Sequence, residues 1–132
     1  MPEAERGGLE HPEEVRFLEV VFPDNTNHYG TLFGGHAMGM MDKAAFVVAS
    51  RLARTQVVTA SADEITFHAP AHHGDVVAVT ARLVSTGRSS MVVHAELARE
   101  DLVSGELTPV ASGRFVMVAV DPDGKPVPLP LS

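Results

Sequence analysis

The stretch GGHAMGMMDKAAFVVASRLA, residues 34–53, limits the folds open to this chain more than any other. On a helical projection Met38, Met40, Met41, Phe46, Val47 and Val48 fall on nearly every side. The helix they predict runs from Gly34 to Arg54, about 30 Å, and belongs to a core rather than a surface. Only its last turn, with Arg51 and Arg54, reads as wet. One strand candidate precedes it, EVRFLEVVF (14–22), ended by Pro23. Four follow it: VVTASADEITFHAP (57–70), GDVVAVTARLVSTG (74–87), RSSMVVHAELARED (88–101) and ELTPVASGRFVMVAVD (106–121). They are rich in Val and Thr and alternate with period two. The breaks between them are too short for the crossover that a parallel pair requires, so neighbours are antiparallel. The order is α+β, and a long antiparallel sheet curled around the helix is its simplest cover.

At 132 residues, 45% hydrophobic and 20% charged, the chain is expected to form one domain. Residues 1–12 read as a mobile N-terminal segment, 13–126 as the folded domain and 127–132 as a C-terminal tail. The N-terminus lacks the apolar core of a signal peptide, and no apolar run approaches the ~20 residues that span a bilayer. A soluble, cytoplasmic protein with no membrane partner is expected. The absence of cysteine excludes disulfides, thiolate zinc sites and a cysteine nucleophile. A net charge of −7 has the wrong sign for a nucleic-acid partner, so an anionic ligand must be met by a local basic residue or by backbone amides. The seven histidines include no helical pair with a carboxylate at zinc-protease spacing, so no metal is expected.

Asp42 is the anomaly. Its neighbours on one helical face, Met38, Gly39, Ala45 and Phe46, cannot pair with a charge. A carboxylate so placed needs a raised pKa or a partner from elsewhere in the structure, which makes it a candidate general base or nucleophile. Capping a loop or pairing with an arginine across an interface would relieve it equally. At the helix entrance, Gly34 and Gly35 let a ligand approach amides that have no internal acceptor and carry the positive end of the dipole, a natural oxyanion site. A tight turn or close helix packing would also explain them. Upstream, in the loop PDNTNHYGT, lie Asn27 and His28. An asparagine there can orient water or a carbonyl, or form an Asx turn.

The segments PDNTNHYGTLFGGHAMGMMDKAA, VVTASADEITFHAPAHHGDVV and STGRSSMVVHAEL together resemble the hotdog-fold acyl-CoA thioesterases, in the group of the YciA-like enzymes and brain acyl-CoA hydrolase. The likeness runs from about Phe17 to Pro126. It implies a sheet wrapped around a central helix, a homodimer with the two sheets joined edge to edge, and further assembly to a tetramer or hexamer. It also implies hydrolysis of acyl-CoA to a free acid and CoA, with no cofactor beyond the CoA of the substrate. Carried over by resemblance, Asp42 from one protomer and Asn27 from the other form each site, with Asp42 as general base or as a nucleophile giving a mixed anhydride. The Gly35 amide faces the developing oxyanion. His28, Gly34 and His36 lie along the substrate, while Gly87, Arg88, Ser89 and Ser90 meet its pantetheine and phosphate portion. Arg88 is the local counter-charge an acidic protein needs for an anion. Two departures stand out. Other hotdog thioesterases carry an acid where this chain has Asn27, and related sequences carry a basic residue near the Pro70–Gly74 turn, where this one has His72 and His73.

Two other functions share these features. A hotdog hydratase or dehydratase would pair an acid with a histidine, as Asp24 and His28 could, but the GHFPG segment of such enzymes is missing. A non-catalytic acyl-CoA-binding module of the regulatory kind would carry a DNA-binding domain, for which this chain has no spare residues.

Overall fold

A computed structural model describes residues 13–130, so the expected mobile segment 1–12 lies outside the described residues. The chain begins with strand β1 (Glu14–Val20) and a single 3-10 turn (Pro23–Asn25), followed by helix α1 (Gly34–Ala53). Strands β2 (Gln56–Phe67), β3 (Val76–Thr86), β4 (Ser90–Glu100) and β5 (Leu107–Val120) complete it. All pairings are antiparallel, in the order β1-β3-β4-β5-β2. The α+β sheet-around-helix reading therefore stands. The strands stop one to three residues short of their expected C-terminal limits; β2 ends before Pro70, which has no amide to donate.

Alternation in the strands matches helical period in α1. Val77 and Val79 of β3, Met91, Val93 and Leu97 of β4, and Phe115 and Met117 of β5 point inward. They pack on Met41, Ala44, Ala45, Val48 and Ala49 of the helix, all fully buried. The alanines let the sheet come close. Each large side chain buried in that layer contributes about 1.5–3 kcal/mol. The helix ends where Arg54 turns left-handed at φ 56°, its amide donating to the Ser50 carbonyl.

One expectation is corrected. The helix is not covered on all sides down to its last turn: Gly35, Gly39, Lys43 and Phe46 are exposed and Asp42 is only half-buried. These residues recur three to four apart, so they form one stripe. Five strands cover the rest of the circumference and leave that stripe open. Strand β2 runs beside it at the sheet's margin, where only Val57 is buried. Two register shifts, at Thr59/Ser61 and Asp63/Thr66, break its ladder with β5. Glu64, within the second, sits at φ 52°. Among the described residues no helix is long and apolar enough to cross a membrane.

Candidate active site

The predicted site residues fall at three stations along α1. At its N-terminal end lie Asn27, His28, Gly34, Gly35 and His36; at its middle lies Asp42; near its C-terminal end lies the β3–β4 turn with Gly87, Arg88, Ser89 and Ser90.

At the middle station, Asp42 opens onto a cleft of about 240 Å³ shared with Met38, Gly39, Thr59, Ala62 and Phe115. Its Oδ1 accepts a hydrogen bond from Thr59 Oγ1 at 2.7 Å. Among the described residues no cation pairs with it. The carboxylate is thus held at a fixed angle and left uncompensated, in a wall otherwise apolar. Thr59 is the residue the sequence reading did not single out. The signal was its place two residues beyond Val57, which puts its hydroxyl on the inward face of β2.

At the N-terminal station the loop is built on Asn27. Its Oδ1 accepts from Tyr29 N at 2.9 Å, Thr31 N at 3.2 Å and Thr31 Oγ1 at 3.1 Å. The side-chain carbonyl is fully engaged, so the two readings of this asparagine are compatible: oxygen shapes the loop, while the amide Nδ2 keeps two donors for something else. Phe33 N donates to Asn25 O at 3.0 Å, tying this loop to the helix entrance. The first bond into the helix is Ala37 N to Phe33 O, so the amides of Gly34, Gly35 and His36 precede the helical ladder. The two glycines separate in role. A Cβ at Gly34 would lie 3.3 Å from Phe67 Cζ, whereas a Cβ at Gly35 would meet nothing within 4 Å. Gly34 serves the packing of Phe67; Gly35 faces open space. The rings of His28 and Tyr29 meet tilted by 39°, their centroids 4.0 Å apart, and His36 is half-buried. Asp24 and His28 share no hydrogen bond or ion pair among the described residues, so the acid–histidine pair of a dehydratase is not assembled.

At the far station Gly87 N donates to Ser90 O at 2.8 Å, and a Cβ on Gly87 would come within 2.7 Å of Ser90 Oγ. A side chain there would have to displace the Ser90 hydroxyl. Arg88 is exposed and, with Leu52, Pro128 and Leu129, lines a cavity of about 360 Å³.

Within one chain these stations do not meet. Gly35 and Asp42 are seven residues apart on one helix, about 10 Å along its axis, too far for both to touch one carbonyl. No three metal-ligating side chains converge among the described residues.

A sheet curled around a helix that carries a cleft-facing carboxylate defines the hotdog thioesterase class. The sequence profile of the thioesterase superfamily matches residues 29–106, more than half of the chain, and the chain belongs to that family. An uncharacterised acyl-CoA thioester hydrolase of Zymomonas mobilis is 46% identical over 111 residues, 84% of this chain and 74% of that protein. The acyl-CoA thioester hydrolase YciA of Salmonella typhimurium is 37% identical over 89% of this chain and 91% of its own. Among solved structures, the acyl-CoA hydrolase of Staphylococcus aureus, in complex with butyryl-CoA, CoA and CoA disulfide, superposes with a TM-score of 0.86 at 34% identity, over 90% of this chain and 73% of that one.

Proposed function

We propose that this protein hydrolyses acyl-coenzyme A to a free carboxylic acid and CoA, at sites that each combine Asp42 and Thr59 of one protomer with Asn27 and Gly35 of another. The observation that carries this is the Asp42 carboxylate, anchored by Thr59 at 2.7 Å, open to a cleft and free of any counter-ion among the described residues. A carboxylate fixed beside a cleft in that way is placed to take a proton from a water bound there.

As general base, Asp42 removes a proton from water while its oxygen attacks the thioester carbonyl. The carbonyl oxygen becomes an oxyanion, met by Asn27 Nδ2–H and the Gly35 N–H. Collapse of that intermediate breaks the carbon–sulfur bond, and the proton held by Asp42 passes to the departing thiolate. As nucleophile, Asp42 instead attacks the carbonyl, the carbon–sulfur bond breaks to release the CoA thiolate, and water cleaves the resulting mixed anhydride in a second step. After a single turnover in ¹⁸O water, label in the Asp42 carboxyl would establish the anhydride, with water attacking its aspartyl carbon. His28, Gly34 and His36 line the approach, and Gly87, Arg88, Ser89 and Ser90 receive the pantetheine and phosphate end.

Four further observations support the reading. The Staphylococcus aureus hydrolase has been characterised with an aspartate, a threonine or an asparagine replaced by alanine, the residue types of Asp42, Thr59 and Asn27. The uncovered stripe of α1 and the exposed margin strand β2 form one continuous surface beside Asp42, where a second copy would bring its Asn27 loop. Neighbouring structures include a hexameric acyl-CoA thioesterase, in line with dimers assembling further to a tetramer or hexamer. A cytosolic acyl-CoA thioester hydrolase among the rat relatives favours the cytoplasm as the place of work.

The test is thiol release from acetyl to palmitoyl thioesters by wild-type protein and by Asp42→Asn. The variant is expected to lose about 10²–10⁴-fold in kcat, the usual contribution of a positioned base, with an unchanged melting temperature. Wild-type rates from the variant would remove Asp42 from the reaction; unfolding would give it a structural role instead.

A further inference from the structure

The end of the chain, KPVPLPLS, carries proline at every second position from Pro126 to Pro130. Proline has no amide hydrogen and a fixed φ, so the stretch from Pro126 to Pro130 is held extended and has only two N–H groups, those of Val127 and Leu129. Both reach the body of the protein. After β5, Asp121 Oδ1 accepts from Asp123 N and Lys125 N, both at 2.9 Å, and Gly124 at φ 85° reverses the chain. Val127 N then donates to Ala119 O at 2.9 Å, and Leu129 N to Arg88 O at 2.8 Å. The side chains of Val127 and Leu129 pack against the core, while the prolines face out.

The second bond falls on the β3–β4 turn. Gly87 is tied to Ser90 within the turn, and Ser89 O accepts from Ala119 N at 2.9 Å. The Arg88 carbonyl has Leu129 as its backbone partner. Leu129, Pro128 and Pro130 also form one wall of the cavity that Arg88 lines, with Leu52 at the end of the helix opposite. That helix end presents carbonyls and the negative end of the dipole, which disfavour an anion. Whatever attracts phosphate here must come from a cation held in the right place.

We infer that Leu129 is a positioning residue: its amide, stiffened by the flanking prolines, fixes the main chain of Arg88 so that the guanidinium meets the phosphate-bearing end of the substrate. This rests on the assignment of Arg88 made under the proposed function. The tail acts on binding of the nucleotide portion and not on the chemical step at Asp42, about 15 Å from Leu52 along the helix.

Leu129→Pro deletes the single donor and suits a segment already built of alternating proline. It should raise KM for acyl-CoA about five- to tenfold, the effect of one hydrogen bond lost, with kcat within about twofold. KM for the matching acyl-pantetheine, which lacks phosphates, should not move, and Leu129→Met should behave as wild type. A chain ended after Val127, which keeps the tie to Ala119, is the second variant and should show the same split. In an Arg88→Ala background Leu129→Pro should add nothing, because both changes act through one group. Parallel losses on both substrates, or additivity with Arg88→Ala, would overturn the inference. Arg88→Ala raising KM while both tail variants leave it unchanged would overturn the tail's role alone. Arg88→Ala with wild-type KM for acyl-CoA would overturn the assignment of Arg88 and this inference with it, while leaving Asp42 hydrolysis standing.

Discussion

Asn27 divides its side chain between two tasks, and a single substitution can separate them. Aspartate there keeps an oxygen for Tyr29 N, Thr31 N and Thr31 Oγ1, so the loop should survive. It replaces the two Nδ2 donors with a second, negatively charged oxygen. Asn27→Asp is therefore expected to fold with an unchanged melting temperature and to lose about 10²–10³-fold in kcat, the scale of one missing oxyanion donor. Thr59→Val, nearly isosteric, removes the donor to Asp42 and leaves the carboxylate free to rotate. About a ten- to hundredfold fall in kcat with KM preserved would follow from losing a hydrogen bond to a charged group. A second carboxylate has a purely local task. Backbone hydrogen bonds from Ser104 and then Val103 hold the Asp101 carboxyl below its ordinary value. A depressed folded value means that the stabilisation is present above the ordinary carboxylate range and fades as pH falls through the lowered value. An NMR titration of Asp101 should place its midpoint below that of the unfolded chain, and Asp101→Ala should abolish that part of the acid dependence.

At the scale of elements, the sheet's closeness to the helix depends on residues without bulk. A Cβ on Gly113 of β5 would lie 2.4 Å from Ile65 Cδ1 and 3.2 Å from Phe115 Cε1. Ile65 can swing aside in part, but Phe115 is 1% exposed and cannot. Gly113→Ala should cost about 1–3 kcal/mol, read as a lower denaturant midpoint at constant slope. The existence and pairing of the strands were legible because Val and Thr alternate over lengths that only strands bury, and because the breaks between them are short. The open stripe of α1 was not legible. Apolar residues circle the helix, and nothing in Phe46, 47% exposed, marks it as facing away from the chain's own sheet. Asp42 stood out because a charge among methionines and alanines has no innocent local partner. Thr59 did not, since threonine in a strand is ordinary on propensity alone. Leu129 escaped for a different reason: a proline-rich end reads as tail, and only the fold reveals that its two remaining amides are both used.

For the whole molecule, the separation of stations along one helix sets the strongest test. If each site takes Asp42 from one protomer and Asn27 from its partner, Asp42→Asn and Asn27→Ala chains should each be nearly inactive alone. Mixing them after reversible dissociation should restore activity. A mixed dimer holds one site with both natural residues and one site with neither. Random re-association makes half the dimers mixed, so the mixture should regain about a quarter of the wild-type rate in a two-fold assembly. A site contained within one chain would regain nothing, because no chain in the mixture carries both residues. The same geometry predicts a concentration dependence. A proline at Ala60 in the exposed margin strand should impair pairing of β2 with a second copy while the core, built on the other face, stays folded. Such a protein should sediment as a monomer, retain its cooperative unfolding transition, and lose hydrolysis although Asp42 and Thr59 still sit in the same cleft. Full activity in a sedimenting monomer would place the whole reaction within one protomer, which the 10 Å between Gly35 and Asp42 along the helix, about seven residues, argues against.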